Sequence, residues 1–290
     1  MFLAVKAMPE VSDLFDRARA LATVCLIGRD TEDYPPEDRG SDLYAMVRRE
    51  TGWKFTLRNQ AQLIDLHFTD SGVLLAWWWR EALFHSGEYE DEWRAILGQI
   101  PEPLRVLVEA PDAMEGDHAD VDQLPLLSGV MWRLPQHDTW QIPDFTHPES
   151  VIPSWIADMQ EGDYDYIPPE LRDREWKDDD ASDILCDLIT PKPDDLYWPH
   201  QIRQQGMRGS PHPNWEWLDP QDIAWPDTGL TTAQALHHVL SLRPVTDQIV
   251  QTFHPTRTLA DVVDSIVATG YPQHGEQVAP AWYYSPTGLR

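Results

Sequence analysis

Alternating carboxylates in the stretch Glu115-Gly-Asp-His-Ala-Asp-Val-Asp122 could gather around a hard cation, since oxygen donors at spaced loop positions can converge on one centre. The glycine and terminal glutamate of an EF-hand loop are missing at their offsets, so the stretch reads as a solvated acidic turn and no metal is expected. Asp65 and His67 are two residues apart in an apolar, alternating run. On a strand they share a face, and Asp65 could orient His67 as a general base. A half-exposed polar strand face also accounts for the pair and is the preferred reading. His237 and His238 are consecutive within a helical pattern. Their side chains point about 100° apart, so they cannot hold one metal from one helix face.

The run Asp173-Arg-Glu-Trp-Lys-Asp-Asp-Asp180, followed by Asp183 and Asp187, sets Trp176 among carboxylates. A charge run is usually a solvated face. An aromatic ringed by acidic groups is also the composition of an anchor for a basic partner. The candidate partner-binding residues are therefore Trp176, Asp178, Asp179, Asp180 and Asp183. Trp77, Trp78 and Trp79 are consecutive, so a strand through them shows tryptophan on both faces, and a packed core is the favoured reading. Phosphate-cradling glycine loops, a Gly-x-Ser-x-Gly elbow and a His-Glu-x-x-His helix are absent from the sequence. No catalytic residue is assigned and no cofactor is expected.

Charge narrows the partners. The chain carries 49 acidic and 22 basic side chains over 290 residues, a formal charge of -27. Such a surface repels nucleic acid and anionic membrane and attracts cationic proteins. Its 14 tryptophans argue against a disordered acidic tail. Adaptation to a salty cytoplasm is an alternative source of the acidity, because salt screens self-repulsion. Cys25 and Cys186, far apart in apolar contexts, read as buried free thiols in a reducing compartment. The first residues do not read as a secretory signal, and the longest apolar stretch, Val73 to Trp79, is short for a membrane span. A cytoplasmic location is expected.

The elements that must position these groups form an α+β fold: an antiparallel or mixed sheet with packed helices, a long irregular Pro/Trp/Asp-rich segment, and a helical C-terminal part. Val11 to Leu21 has helical spacing, and Thr23 to Ile27 reads as a short strand ending at Gly28. Ser41 is placed to cap a helix with Leu43, Tyr44 and Val47 inward. Trp53 to Arg58 alternates as a strand, and residues 63 to 79 read as a hairpin turning at Asp70-Ser71-Gly72. Glu88 to Ile100 suits a helix with Trp93, Ile96 and Leu97 inward. Leu104 to Val108, Leu126 to Leu134 and Thr139 to Ile142 are expected strands. Thr231 with Gln234 forms a capping box before a helix carrying Ala233, Leu236, Val239 and Leu240. Thr258 caps a second helix with Leu259, Val262, Val263, Ile266 and Val267 along one face, closed by Gly270. Residues 1–142 are read as an α+β domain, 143–229 as an irregular ordered wrap pinned by tryptophans, and 230–290 as a helical part packed on the first domain.

These features point to an acidic intracellular binding protein for a basic protein, like an immunity protein or a nucleic-acid mimic. The alternatives are a carboxylate/histidine enzyme, with or without a metal, and a structural subunit of a larger assembly.

Overall fold

The computed structural model describes residues 8–28, 44–58, 62–79, 89–108, 125, 127–144 and 226–273. The acidic loop 115–122, the residues from Trp176 to Asp187, and most of the Pro/Trp/Asp-rich segment lie outside the described residues. Helix α1 spans Val11–Gly28. Strands β1 (Tyr44–Arg49), β2 (Gly52–Arg58), β3 (Gln62–Thr69) and β4 (Gly72–Trp79) follow. Helices α2 (Glu90–Leu97) and α3 (Glu102–Val108) precede β5 (Gly129–Arg133). Helices α4 (Thr232–Leu240), α5 (Asp247–Phe253) and α6 (Leu259–Ala268) complete the order. The strands make one five-stranded sheet in the order β1-β2-β3-β4-β5, antiparallel at β1/β2 and β4/β5. Sheet plus helices is the α+β class expected. No described helix is long and apolar enough to cross a membrane.

Two compact units divide the chain. The first includes 60–67 and 71–185, hence most of β3 with β4, α2, α3 and β5. Its core joins Leu63, Leu74, Ala76, Val130 and Trp132 of the strands to Trp93, Ile96, Leu97, Leu104 and Val108 of the helices. Helix α2 buries Trp93, Ile96 and Leu97, as their i, i+3, i+4 spacing predicts. Leu104 to Val108 is a helix and not the expected strand. A five-residue apolar run fits either element by pattern alone. Here Pro101 and Pro103 sit at the helix start, where a missing N–H costs nothing. The Pro101 carbonyl accepts from the N–H groups of Leu104 and Arg105, and Leu104 and Val108 bury one turn apart. Thr139 to Ile142 is also not a full strand. It contributes a single bridge, Gln141 to Trp132, after the turn at residues 135–139. On β4, Trp77 is fully buried and Trp78 is partly buried against the α2/α3 core. Gly129 lies opposite Trp77, and a Cβ there would sit 1.9 Å from the indole. Only glycine lets the ring lie flat on the neighbouring strand.

The second unit includes 9–59, 68–70 and 186–290. Its centre is α1, which packs on β1 and β2 and touches α4, α5 and α6. The expected strand Thr23 to Ile27 is the end of this helix. Its β-branched residues have modest helix propensity, but burial on nearly every side outweighs that preference. Cys25 is a buried free thiol, as expected; Cys186 lies outside the described residues. The expected helix over Tyr44 and Val47 is strand β1. Tyr44 and Val47 fit helical spacing, yet Tyr44 and Met46 fit alternation equally, and pairing with β2 decides between them. Tyr44 lies opposite Leu57 and Met46 opposite Phe55, with the Tyr44 ring stacked 6.2 Å from Phe55. Phe15 of α1 meets Trp53 and Phe68 edge-on, at 6.0 and 5.0 Å between centroids.

The Thr231–Gln234 capping box forms as read, and Thr258 starts α6 as read, its N–H and hydroxyl both donating to the Asp261 carboxylate. Two burial patterns differ from expectation. In α4, Ala235 is buried and Ala233 is exposed. In α6 only Val262 and Ile266 are buried. Helix α5, capped by Thr246, had no counterpart in the sequence reading; its seven residues are too few to show two turns of periodicity.

Polar ties complete this unit. Arg19 is buried, donates from Nη1 to the Gly270 carbonyl at 3.0 Å, and pairs with Asp16 at 2.6 Å. Thr269 Oγ1 donates to the Ile266 carbonyl at 2.7 Å, so Thr23 is the donor in the 3.0 Å contact between the two threonines. Arg257 donates to the carbonyls of Leu26 and Ile27, neutralising the negative end of α1. The Gln273 amide accepts from the Val245 N–H at 2.7 Å. Gly270 has φ +79°, a left-handed conformation, and a Cβ there would lie 2.9 Å from Trp53.

Candidate functional site

Alternation along β3 places Leu63, Asp65, His67 and Thr69 on one face. Leu63 belongs to the α2/α3 core, so within the first unit Asp65 and His67 continue the face that carries it. Both are buried, at 2% and 9% exposure, which overturns the half-exposed polar face preferred from sequence. The physical reason is that burial of a strand face is set by what packs on it, and a sequence pattern cannot say which polar positions lie under that cover. Two strand residues span about 6.6 Å between Cα atoms, a spacing at which a carboxylate can orient an imidazole. The arrangement has the residue types of a general base, a carboxylate and a histidine two apart on one buried strand face.

A second histidine emerges at the β5 turn. The Trp132 indole donates to Gln141 Oε1 at 3.1 Å, and the Gln141 amide nitrogen lies 2.6 Å from His137 Nδ1. An indole can only donate, so the glutamine oxygen must face it and the glutamine NH2 must face the imidazole. His137 Nδ1 is therefore the acceptor, and in the neutral ring the proton sits on Nε2. Arg133 donates to the His137 carbonyl at 3.0 Å. Sequence reasoning treated 135–138 only as a turn. The spacing of Trp132, His137 and Gln141 carries no recognisable pattern, since the three meet only once the turn has closed.

On α4, His238 lies 2.9 Å from the Pro244 carbonyl and donates to it through Nε2. The His237 carbonyl accepts from Ser241, and the His237 side chain is exposed. The two histidines do separate things, as their angular offset requires. No group of three or more metal-ligating side chains occurs among the described residues. The anchor residues Trp176, Asp178, Asp179, Asp180 and Asp183 lie outside the described residues.

Two buried cations escaped the sequence reading. Arg19 is set within the apolar face of α1, and Lys54 sits between Trp53 and Phe55 on β2. Lys54 is at a polar position of a clean alternation, which ordinarily marks a solvated face. Arg19 follows Ala18 in an otherwise apolar run, and that placement was the one available signal.

Tyr271 is buried, and its hydroxyl lies 3.0 Å from the Val239 carbonyl and 2.7 Å from that of Arg243. Burial pushes its phenol well above the ordinary tyrosine range, against a smaller opposing effect of the Arg19 charge. Asp261 is shifted the other way. The Thr258 N–H and hydroxyl both donate to its carboxylate at 2.7 Å and hold it below the usual carboxylate range.

No protein-family model, curated protein or solved structure matches this chain.

Proposed function

We propose that this chain is an acidic, cytoplasmic binding protein that sequesters or inhibits a basic protein, in the manner of an immunity protein or a nucleic-acid mimic. The observation that carries the reading is the charge of -27 on a chain with 14 tryptophans. Exposed carboxylates on the described helices support it: Glu90, Asp91 and Glu92 begin α2, and Asp261 and Asp264 lie on α6. Trp176 is the proposed anchor, with Asp178, Asp179, Asp180 and Asp183 steering the approach. Long-range attraction speeds encounter, while a desolvated aromatic supplies affinity. Neither nucleic acid nor membrane is a partner in this reading.

The test is a titration of the full chain with a panel of small basic proteins and a neutral control, at low and at physiological salt. Stoichiometric binding to a basic member, faster at low salt, is expected. Absence of binding to every basic protein at low salt, or tight binding to duplex DNA, would overturn the reading. Trp176→Ala is expected to weaken the complex by about 2 kcal/mol or more with little change in melting temperature.

One observation favours a second reading. Asp65 and His67 are buried on one strand face, where ionisable side chains are uncommon and are retained for structure or chemistry. In an enzyme, His67 would be the base and Asp65 its positioning carboxylate. Asp65→Asn, with the fold checked by circular dichroism, would abolish turnover in that case and leave partner binding untouched under the first reading.

A further inference from the structure

Helix α6 carries more apolar surface than its fold uses. Leu259, Val262, Val263, Ile266 and Val267 fall within an arc of about 140°, at 100° per residue. Val262 and Ile266 alone are buried. Leu259 and Val263 are half-buried, Ala260 is exposed, and Val267 is 51% exposed. Ala260, Val263 and Val267 recur at i, i+3 and i+7 and so form one strip. Val267 is one of only three large hydrophobics exposed among the described residues.

The rim of the strip is acidic. Asp264 is four residues from Ala260 and three from Val267, so it borders both. Asp261 continues the exposed acidic side. The Asp261 carboxylate is held ionised by its bonds to Thr258. The other side of the strip runs into the buried seam of Val262 and Ile266. An apolar strip with one carboxylate-lined edge matches one face of a cationic amphipathic segment.

We infer that the α6 strip of Ala260, Val263 and Val267, edged by Asp264 and Asp261, docks a basic amphipathic segment of the partner protein. The inference rests on the proposed binding function and gives it a surface among the described residues. Apolar contact and charge act together here: a cation alone gains little from exposed carboxylates, and a neutral apolar segment meets an unfavourable rim.

The experiment uses the isotope-labelled full chain and two synthetic probes. One is a peptide with leucine and lysine at helical spacing; the other is oligolysine of equal charge. Amide shifts are mapped by nuclear magnetic resonance, and affinities are measured for the parent chain, Val267→Gln and Asp264→Asn. Binding of the leucine/lysine peptide that moves α6 amides, and weakens about fivefold in Val267→Gln, is expected for an interface residue worth about 1 kcal/mol. Val267 is exposed, so the variant should melt like the parent; if it does not, the Asp264→Asn affinity decides on the same threshold. Binding that leaves α6 amides unmoved, or is unchanged in the deciding variant, overturns the α6 strip while leaving the charge-based reading standing. Failure of both cationic probes to bind at low salt overturns that reading, and the α6 strip with it.

Discussion

In the first unit, Trp93 and Leu104 shed water against apolar neighbours; in the second, α1 from Arg19 onward is tied by donors and acceptors from residues 257–270. The contrast separates two sources of stability. Apolar burial is non-directional and tolerates some rearrangement, at a cost set by the cavity left behind. A buried hydrogen bond adds modestly when made but is costly to half-break, because the abandoned partner has lost its water. The first kind of unit should respond to lost volume, the second to lost pairing.

The largest effect is expected at Trp93, which is fully buried. Trp93→Ala should destabilise by about 3–5 kcal/mol, read by chemical denaturation. A loss under 1 kcal/mol would show that the α2/α3 core is loosely packed and would erase the contrast.

Arg19 comes next. Arg19→Leu keeps apolar bulk but leaves the Gly270 carbonyl without its Arg19 donor, and a loss of about 2 kcal/mol is expected. If Arg19→Leu is neutral, the second unit is held by its apolar contacts after all.

Tyr271→Phe should cost about 1.5 kcal/mol at neutral pH, since the Val239 and Arg243 carbonyls lose one shared donor. Its pH signature is sharper. The folded phenol titrates above the unfolded one, so its contribution is complete below about pH 10 and declines as alkali draws the proton from the unfolded chain. Denaturation of parent and variant from pH 8 upward, at roughly half-unit steps, should show a steeper alkaline loss in the parent. Parallel curves would mean that Tyr271 is not desolvated.

The smallest effect sharpens the comparison most. Thr23→Val alone should cost about 1 kcal/mol, and the pair Thr23→Val with Thr269→Val should cost less than the sum of the single changes. Strict additivity would show that the two hydroxyls do not act together.

Legibility in the sequence follows the same division. Strands β2, β3 and β4 were readable because alternation and the Asp70-Ser71-Gly72 turn agree, and α2 because Trp93, Ile96 and Leu97 share one helical face. Thr231 and Thr258 announced their helices through local capping chemistry. The end of α1, β1 and α3 were misread because short apolar runs fit two periods, and the choice is made by distant neighbours. Asp65 and His67 could be placed on one face by spacing, but their burial depends on distant parts of the chain that the spacing does not encode. The contacts of Arg19, Arg257 and Tyr271 with backbone carbonyls leave no trace in composition, because any residue offers a carbonyl.

The bonds that join α1 to the chain's later part also set an order of events. Arg19 waits for Gly270, 251 residues downstream, and Thr23 for Thr269, 246 downstream; Arg257 reaches back 231 residues to Leu26. A ribosome making about 5–20 residues per second needs roughly 12–50 s to bridge such a gap. During that interval the helix holds a charged side chain destined for the interior, and the face that meets α4, α5 and α6 is still unmatched. Contacts so distant in sequence close slowly even in the full-length chain. α1 is thus the segment for which a holding chaperone has most to do, and the one that premature termination leaves most exposed.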